Sequence, residues 1–476
     1  MSGEKNVSSS SQGEIRLISL EDALALDREK VREYYREYSN SGLARTLALL
    51  DFDKNFVKAQ GVSLWDSNNN RYLDFLGGYG ALNLGHNHPE VIASIEKVRD
   101  VPNILQASLN KLAAGLAYNL AKITPEGLKH TFFANSGAEA VEGALKLARI
   151  SIGRKKFVYC DNSFHGKTFG ALSVTGRAKY QEPFKPLLED VEKVQFGDID
   201  SLENVLKNED CACFIVEPIQ GEGGVLIPPD GYLKSVRDVC NKYGTLLIID
   251  EIQTGFGRTG YMFACQREDV SPDIMCLAKS LGGGIMPIGA FIATEDVWEK
   301  GFGGMEKCLL HTSTFGGNSW AMASGIASIN IIVRDNLPQQ AKEKGEYLLS
   351  KLNKLKEKYS IIKDIRGRGL IIGIEFNQPK EGILDKITGG AVTRFAMEYL
   401  GSLVAGELLN RYHIITAYTL NNPNVIRLEP PLIVSYEDLD FVVNALDEML
   451  GSNPTFTRLA LSSAKTMFGS IFHKKE

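Results

Sequence analysis

The sequence predicts an α/β fold in which a mostly parallel β-sheet is covered by helices on both faces. The first observation is a series of short apolar runs rich in β-branched residues: FVYC at 157–160, CFIVEP at 213–218, TLLIIDE at 245–251, IMCLAK at 274–279 and GAFIAT at 289–294. The second is that several runs are separated by helical patterns, such as 139–151 and 231–244. Strands that alternate with helices favour parallel pairing, because each helix returns the chain to the same end of the sheet.

The flanking segments differ from this core and predict a division into domains. Residues 20–50 have helical spacing, residues 55–84 have the pattern of short strands around an Asn turn, and residues from about 337 have an α+β pattern. We therefore predict a partly disordered N-terminal extension at 1–40, a small α+β domain formed by 41–100 and 337–451, a large domain at 101–336 and a C-terminal tail at 452–476.

Composition excludes several classes of protein. The chain has 476 residues, of which 44% are hydrophobic and 23% charged, as is ordinary for a globular protein. Its net charge of −5 does not indicate binding to nucleic acid. The polar, Ser-rich start does not resemble a signal peptide, and no apolar run is long enough to span a membrane. The odd number of cysteines, seven in mostly apolar segments, is typical of reduced thiols in a cytoplasmic protein.

We expect no metal site. Cys211 and Cys213 lie two apart, but no second Cys/His pair has zinc spacing relative to them. His86 and His88 also have metal-like spacing, but they precede Pro89 and favour a turn that begins a helix.

Two charged residues stand at the ends of buried apolar runs. Asp250 ends TLLIID, and Lys279 ends IMCLAK. Charges there are costly unless a ligand lies between them. An aldehyde cofactor with a basic ring nitrogen requires this pair, because a lysine forms an imine with the aldehyde and a carboxylate keeps the ring nitrogen protonated. Gln253, three residues after Asp250, is expected to face the same pocket and donate to a ring hydroxyl.

Other polar residues follow the predicted strands, where ligands of α/β sheets gather. Glu217 ends a strand, and Glu222 lies in the glycine-rich turn after it; a solvent-exposed loop with two acids is the alternative. Phe164 offers a face for a flat ring, although a lone Phe after a strand is usually a core residue. His165 packs near the same ring or lies in a surface turn. The hydroxyls at 312–314 suit a phosphate oxygen.

The start of the helix at 139–151 is a second candidate phosphate site. Ser136 and Gly137 precede this helix, and the N–H groups of a first helical turn are unpaired and carry partial positive charge. Taken alone, the pattern favours an ordinary N-cap, with Ser136 capping and Glu139 completing a capping box.

These motifs together resemble the class III aminotransferases, pyridoxal-phosphate enzymes of fold type I. The resemblance runs from about residue 40 to 452 and is carried by seven motifs in order: NSGAEAVEGALKLAR, SFHGKTFGALSVTG, EPIQGEGG, LIIDEIQTGFGRTG, LAKSLGGGIMPIGA, HTSTFGGN and IRLEPPL. It implies a large cofactor-binding domain with a mostly parallel seven-stranded sheet and a smaller α+β domain. It also implies a homodimer with shared active sites, or a tetramer.

The resemblance assigns roles to individual residues. Lys279 would form the imine with pyridoxal 5′-phosphate and move the substrate proton, and Asp250 would pair with the pyridine nitrogen. Gln253 would contact the ring hydroxyl, and Phe164 would stack on the ring. The site would also include residues near the ring and the phosphate: Ser136, Gly137, Ala138, His165, Glu217 and, from the neighbouring subunit, Thr314.

Two positions depart from the family pattern. The family commonly has Thr where this chain has Ala138, so one hydroxyl contact to the phosphate is missing while the backbone contacts remain. The family's usual Pro after GGN is Ser319 here, which implies a local change in the loop.

Within the class, four stretches resemble putrescine (diamine) aminotransferases: LDFLGGYGALNLGHNHPEV, LAKITPEGLKHTFFANSG, PFKPLLEDVEKVQFGDI and TLNNPNVIRLEPPL. Glu222 resembles a gating glutamate, and Arg427 resembles the arginine that binds the α-carboxylate of 2-oxoglutarate. The expected reaction moves the terminal amino group of putrescine or cadaverine to 2-oxoglutarate in two alternating half-reactions. The alternatives are an ω-aminotransferase for ornithine, acetylornithine, 4-aminobutyrate or lysine and, behind these, an aminomutase, racemase or phospho-lyase.

Overall fold

The computed structural model describes residues 17–105, 107–377 and 391–453. The chain divides into two compact units, residues 1–55 and residues 56–476. Residues 1–16 of the predicted N-terminal extension and nearly all of the predicted tail lie outside the described residues. The predicted boundary between a small and a large domain within the second unit stays a prediction.

The first unit consists of three helices that begin at polar caps. These helices are α1 (Leu20–Leu24), α2 (Arg28–Tyr38) and α3 (Ser41–Leu49). Ser19, Asp27 and Asn40 each accept a backbone N–H at the start of one helix, as N-cap residues do. The helical spacing predicted for residues 20–50 is therefore confirmed.

The second unit contains fifteen strands within the described residues. The strands are β1 (Phe56–Gln60), β2 (Ser63–Asp66), β3 (Arg71–Asp74), β4 (Leu128–Ala134), β5 (Lys156–Cys160), β6 (Val191–Val194), β7 (Cys211–Val216), β8 (Leu246–Asp250), β9 (Ile274–Leu277), β10 (Gly289–Thr294), β11 (Ile362–Arg368), β12 (Ile371–Phe376), β13 (Ile414–Ile415), β14 (Ala417–Tyr418) and β15 (Val425–Leu428).

Helices connect these strands. They are α4 (Gly77–Gly80), α5 (Pro89–Glu96), α6 (Lys111–Ile123), α7 (Gly137–Ile152), α8 (Phe169–Ser173), α9 (Ala178–Gln181), α10 (Ile199–Leu206), α11 (Tyr232–Lys242), α12 (Glu295–Gly301), α13 (Ser319–Arg334), α14 (Leu337–Lys358), α15 (Ala391–Tyr412) and α16 (Tyr436–Ser452). His88 is the N-cap of α5 and Pro89 its first residue, so the prediction of a turn that begins a helix is confirmed.

The central sheet has seven strands in the order β4-β10-β9-β8-β7-β5-β6. The pairs from β9 to β6 are parallel, and β10 alone runs against both of its neighbours. The predicted α/β fold with a mostly parallel seven-stranded sheet is therefore confirmed. Every residue of β7 is buried, which explains its continuous apolar sequence.

Two smaller four-stranded sheets complete the second unit, one in the order β1-β2-β3-β13 and one in the order β11-β12-β15-β14. In the second of these, Arg427 of β15 pairs with Gly373 of β12 and with Ala417 of β14. The position of Arg427 is thus fixed by strand pairing on both sides.

The cysteines are all free, and six of the seven are buried. Across the described part of the chain, no group of three or more His, Cys, Asp or Glu side chains is placed to hold a metal ion. No helix in that part is long and apolar enough to cross a bilayer.

Candidate active site

A cavity of about 770 Å³ lies where the carboxyl ends of β5, β7, β8 and β9 meet the start of α7. It is the position at which α/β sheets bind ligands. Ten of the twelve residues that the sequence predicted for the site line this cavity: Ser136, Gly137, Ala138, Phe164, His165, Glu217, Glu222, Asp250, Gln253 and Lys279. Arg427 lies behind this lining, and Thr314 lies elsewhere.

Lys279 begins a 3-10 turn, Lys279–Gly282, which Ala278 separates from the end of β9. Its φ of +46° is in the left-handed region, which is unfavourable for a lysine and is typical of functional positions. Its amine forms no hydrogen bond or ion pair with any residue that the structure describes. Burial lowers the pKa of Lys279, although Glu429 and Glu222 oppose the shift. The buried site therefore makes the neutral, nucleophilic form of this amine easier to reach than it is in water.

Asp250 is the last residue of β8 and pairs in register with Cys276 of β9. One carboxylate oxygen accepts the backbone N–H of Ile252 at 3.0 Å, and the other accepts Nδ1–H of His165 at 2.7 Å. The His165 side chain is fully buried, so the alternative of a surface-turn histidine is wrong. Asp250 is held as an oriented carboxylate at the cavity wall.

The start of α7 forms another wall. Ser136 Oγ accepts the N–H of Glu139 at 3.2 Å, which confirms the predicted N-cap. The reciprocal bond differs from a capping box, because Glu139 accepts the N–H of Asn135 rather than that of Ser136. Gly137 lies close to the loop after β8, and a Cβ there would lie 2.9 Å from Ile252 Cδ1. The unpaired first-turn N–H groups at Gly137 and Ala138 offer a place for an anion.

Phe164 and Glu217 lie side by side, and the N–H of Phe164 donates to Glu217 Oε2 at 3.0 Å. Burial, reinforced by the nearby charge of Asp250, raises the pKa of Glu217 well above its usual value. Glu217 and Glu222 are both buried, so the alternative of an exposed acidic loop is wrong. A half-buried Phe164 at the cavity can cover the face of a flat ring.

Gln253 has partners that the sequence did not indicate. Its Nε2 donates to the two carboxylate oxygens of Glu429 at 3.0 and 3.1 Å and to the carbonyl of Tyr79 at 3.3 Å. A Cβ at Gly221 would lie 1.7 Å from Gln253 Oε1, so the loop packs directly on the amide. For Gln253 to donate to a ring hydroxyl, as the sequence predicted, Nε2 must give up one of its hydrogen bonds to Glu429 or Tyr79.

Glu222 and Arg427 form an ion pair, with Glu222 Oε2 at 2.6 Å from Arg427 Nη2. Burial alone would raise the pKa of Glu222, but the charge and hydrogen bond of Arg427 outweigh it and the pKa is lowered. Nε and Nη1 of the fully buried guanidinium have no hydrogen-bond partner within the described residues. Glu222 therefore faces the cavity and covers an arginine that retains donors for a ligand.

Glu429 is a site residue that sequence reasoning missed. It follows β15, it is fully buried, and one oxygen lies 3.5 Å from Arg427 Nη1. A signal was present, because an acid follows the buried run VIRL directly, as Asp250 follows LLII.

Thr314 lies at a second cavity of about 350 Å³, together with Thr312 and Ser313. The two cavities are close at one point, where Asn135 Nδ2 donates to Ser313 Oγ at 3.1 Å. Thr314 does not line the first cavity of its own chain, and the predicted contribution to a neighbouring subunit stays a prediction.

The first cavity fits pyridoxal phosphate on four separate counts. A helix start offers N–H groups for a phosphate, Asp250 offers a carboxylate for a ring nitrogen, Phe164 offers a ring face, and Lys279 offers an amine for an aldehyde. The buried His165 bond to Asp250 orients that carboxylate.

Comparison with known proteins identifies the family. The family described as aminotransferase class-III matches residues 51–450. The chain therefore belongs to the class-III aminotransferases.

Solved structures agree with this assignment. The ornithine aminotransferase of Toxoplasma gondii ME49 is 30% identical with a TM-score of 0.79, over 93% of this chain and 98% of that one. The acetylornithine aminotransferase of Elizabethkingia anophelis is 29% identical with a TM-score of 0.72, over 89% and 98%. An amine transaminase from an uncultivated Pseudomonas species, solved with pyridoxal phosphate, is 29% identical with a TM-score of 0.75, over 83% and 94%.

The cofactor is pyridoxal 5′-phosphate, and the protein is a pyridoxal-phosphate-dependent aminotransferase. Family membership and the cofactor-bound Pseudomonas structure support this, and the cavity supplies the chemical groups that the cofactor needs.

Proposed function

We propose that the protein transfers the terminal amino group of a diamine, such as putrescine or cadaverine, to 2-oxoglutarate. The products would be an aminoaldehyde and glutamate. The four sequence stretches that resemble diamine aminotransferases support this donor, and the charge of the cavity supports it independently.

The observation that carries the proposal is the sign of the charges at the cavity wall. Among the described lining residues, Lys279 is the one lysine or arginine, whereas three carboxylates, those of Glu217, Glu222 and Asp250, line the space. A donor with a carboxylate at its far end would find no permanent cation on this wall. A donor with a second ammonium group would find Glu222.

Particular residues would hold the cofactor. Gly137 and Ala138 would bind the phosphate through their N–H groups, with Ser136 capping the helix. Asp250, supported by His165, would hold the ring nitrogen, and Phe164 would cover the ring. Gln253 and Glu217 complete the wall around the ring.

The reaction then depends on proton movement by Lys279. When bound, pyridoxal phosphate supplies an aldehyde that condenses with amines and a ring that withdraws electrons from the carbon bearing the nitrogen. Lys279 Nζ would take the proton from that carbon and return it to the carbon that the cofactor's aldehyde contributes. Its lowered pKa suits this task, because a neutral amine accepts a proton and a strongly basic one does not release it.

Arg427 would serve the second half-reaction. With an amine donor present, Glu222 stays paired with Arg427, as in the structure. With 2-oxoglutarate present, Glu222 would turn away and Arg427 would bind the α-carboxylate through two N–H groups. One cavity would thus accept a cationic donor and an anionic acceptor in turn.

We also propose a homodimer in which Thr314 contacts the phosphate in the neighbouring active site. Exposed apolar side chains precede Thr314 in the chain, including Met305 (95% exposed) and Leu309 (78% exposed). An apolar surface of this kind is typical of a subunit interface.

A donor panel tests the proposal. Putrescine, cadaverine, ornithine, acetylornithine and 4-aminobutyrate are each offered with 2-oxoglutarate, and glutamate formation is measured. We expect kcat/KM for the two diamines to exceed that of the carboxylate-bearing donors by at least about tenfold. A preference for any carboxylate-bearing donor would overturn the diamine assignment.

An ornithine-type ω-aminotransferase is the second candidate, and the similarity to the Toxoplasma and Elizabethkingia enzymes favours it. Such a donor needs a cation for its carboxylate. Lys167 is exposed, and its ammonium lies 5.9 Å from the centroid of the Phe164 ring. Lys167→Ala would raise KM for ornithine if this candidate is correct, and would leave KM for putrescine unchanged under the diamine proposal.

A further inference from the structure

Glu429 is a carboxylate for which none of the roles above gives a purpose. It stands between β15 and the pair Pro430–Pro431, and its side chain is fully buried. Burial of an ionised carboxylate is costly unless partners compensate it.

Two partners compensate Glu429, and both belong to the active site. The amide of Gln253 donates to it at 3.0 and 3.1 Å, and Arg427 Nη1 lies at 3.5 Å. Its backbone N–H donates to the carbonyl of Phe75 at 2.8 Å. Glu429 thus links the residue expected at the cofactor ring to the residue expected at the acceptor.

The surroundings hold Glu429 in place. A Cβ at Gly80 would lie 3.3 Å from Glu429 Oε1, and a Cβ at Gly77 would lie 2.3 Å from its backbone oxygen. Both glycines have positive φ, which allows their backbone to pack this closely. Glu222, in contrast, lies in a loop between Gly221 and Gly223 at the open cavity. Glu429 therefore stays beside Arg427 when Glu222 turns away.

The charges around Arg427 are unequal. One guanidinium faces two carboxylates, so the three side chains carry a formal charge of −1. Arg427 pairs either with Glu222 or with the carboxylate of an incoming anion, and in both cases the anion adds negative charge next to Glu429. An incoming ammonium group is instead attracted by the net negative charge of the three side chains. At these distances and in a buried site, one unit charge changes binding substantially.

We propose that Glu429 is a specificity-determining residue, which favours cationic amine donors and weakens binding of the anionic acceptor. It acts by adding a fixed negative charge beside Arg427 and by orienting the amide of Gln253. The inference rests on the proposed function in one respect, namely that Arg427 receives the carboxylate of the acceptor.

The test compares two ligands of opposite charge. Glutarate, an unreactive dicarboxylate, is titrated calorimetrically into the holoenzyme, and the donor half-reaction is followed by absorbance with the best donor of the panel. Glu429→Gln should bind glutarate about tenfold more tightly and should lower kcat/KM of the donor half-reaction about tenfold. A merely structural role would not move the two quantities in opposite directions.

Matched variants complete the experiment. Glu429→Asp retains the charge and should retain the wild-type preference for the cationic donor over the anion. If Glu429→Gln does not fold, the uncharged variant Glu429→Met replaces it, and the same changes in glutarate affinity and donor kcat/KM are expected. Glu251→Gln is the control, because Glu251 is an equally buried glutamate whose partners are Thr254 and the N–H of Cys265. It should leave both quantities unchanged.

Two outcomes would overturn the proposal: no change in glutarate affinity, or a parallel loss for both ligands. These are distinct from failure of the proposed function. A donor panel that selects ornithine overturns the diamine assignment, while the glutarate measurement still tests Glu429.

Discussion

Two corners of the active-site cavity are built in different ways. The cofactor corner, which consists of Asp250, His165 and Lys279, stands at the carboxyl ends of strands of one sheet. The acceptor corner, which consists of Glu222, Arg427 and Glu429, joins a glycine-rich loop of that sheet to β15 of another. The first is fixed by strand register, such as the pairing of Asp250 with Cys276. The second is fixed by ion pairs that ligands can replace.

This difference separates two tasks. A rigid cofactor corner serves both half-reactions in the same geometry, whereas the acceptor corner must present a different charge to each substrate. Changes in the cofactor corner should therefore slow both half-reactions alike, and changes in the acceptor corner should affect them unequally.

The largest expected effect is at Lys279. Lys279→Ala removes the amine that moves the proton, so kcat should fall by at least roughly 10⁴-fold in both half-reactions. Activity with 2-oxoglutarate and the visible spectrum of the holoenzyme measure this. Lys344→Met is the control, because Lys344 is also buried but donates to the carbonyl of Leu432 outside the cavity. A visible spectrum that persists unchanged in Lys279→Ala would show the assignment to be wrong.

Asp250→Asn should come next. It removes the carboxylate charge that contacts His165 and would contact the ring nitrogen of the cofactor. Both half-reactions should therefore slow by roughly 10²- to 10³-fold. The control is Asp273→Asn, since Asp273 binds Leu247 N–H and Arg237 at the opposite end of β8. If only one half-reaction slows in Asp250→Asn, the cofactor corner does not act as one unit.

Arg427→Lys keeps the charge of the acceptor corner but loses the paired donors. We expect KM for 2-oxoglutarate to rise by about 10- to 100-fold, with the donor half-reaction within about threefold of wild type. Arg258→Lys is a useful contrast, because Arg258 is equally buried but donates to the carbonyls of Leu370 and Pro430. It should lower thermal stability and leave KM unchanged.

The smallest effect is expected at Thr314. If its hydroxyl contacts the phosphate of a neighbouring active site, Thr314→Ala should weaken cofactor binding by about three- to tenfold. Titration of the apoenzyme with pyridoxal phosphate, followed by absorbance, measures the dissociation constant. Equal affinity in Thr314→Ala and wild type would contradict the shared-site proposal, and Thr312→Ala is the matched neighbour.

The sequence predicted the central strands well and missed the edges of the sheet. The five predicted runs became β5, β7, β8, β9 and β10, all in the interior of the sheet. The strands that it missed, β4 and β6, are the two edges. Their sequences LKHTFFA and VEKV carry charged and polar residues, because an edge strand is less buried and has less need of a continuous apolar run.

The same distinction holds for the site. Asp250 and Lys279 were recognisable because each follows an apolar run, so local sequence alone marks them. The partners of Gln253 and His165 were not recognisable, because Glu429 is 176 residues from Gln253 and Asp250 is 85 residues from His165. The first contact depends on how two sheets approach each other, and the second depends on the order of the strands within one sheet. No local pattern encodes either.

The most direct test of the two-corner account is a stopped-flow comparison of both half-reactions in Asp250→Asn and Arg427→Lys. The account predicts that Asp250→Asn slows the donor and acceptor half-reactions by similar factors, while Arg427→Lys slows the acceptor half-reaction alone. Equal slowing of both half-reactions in Arg427→Lys would contradict it.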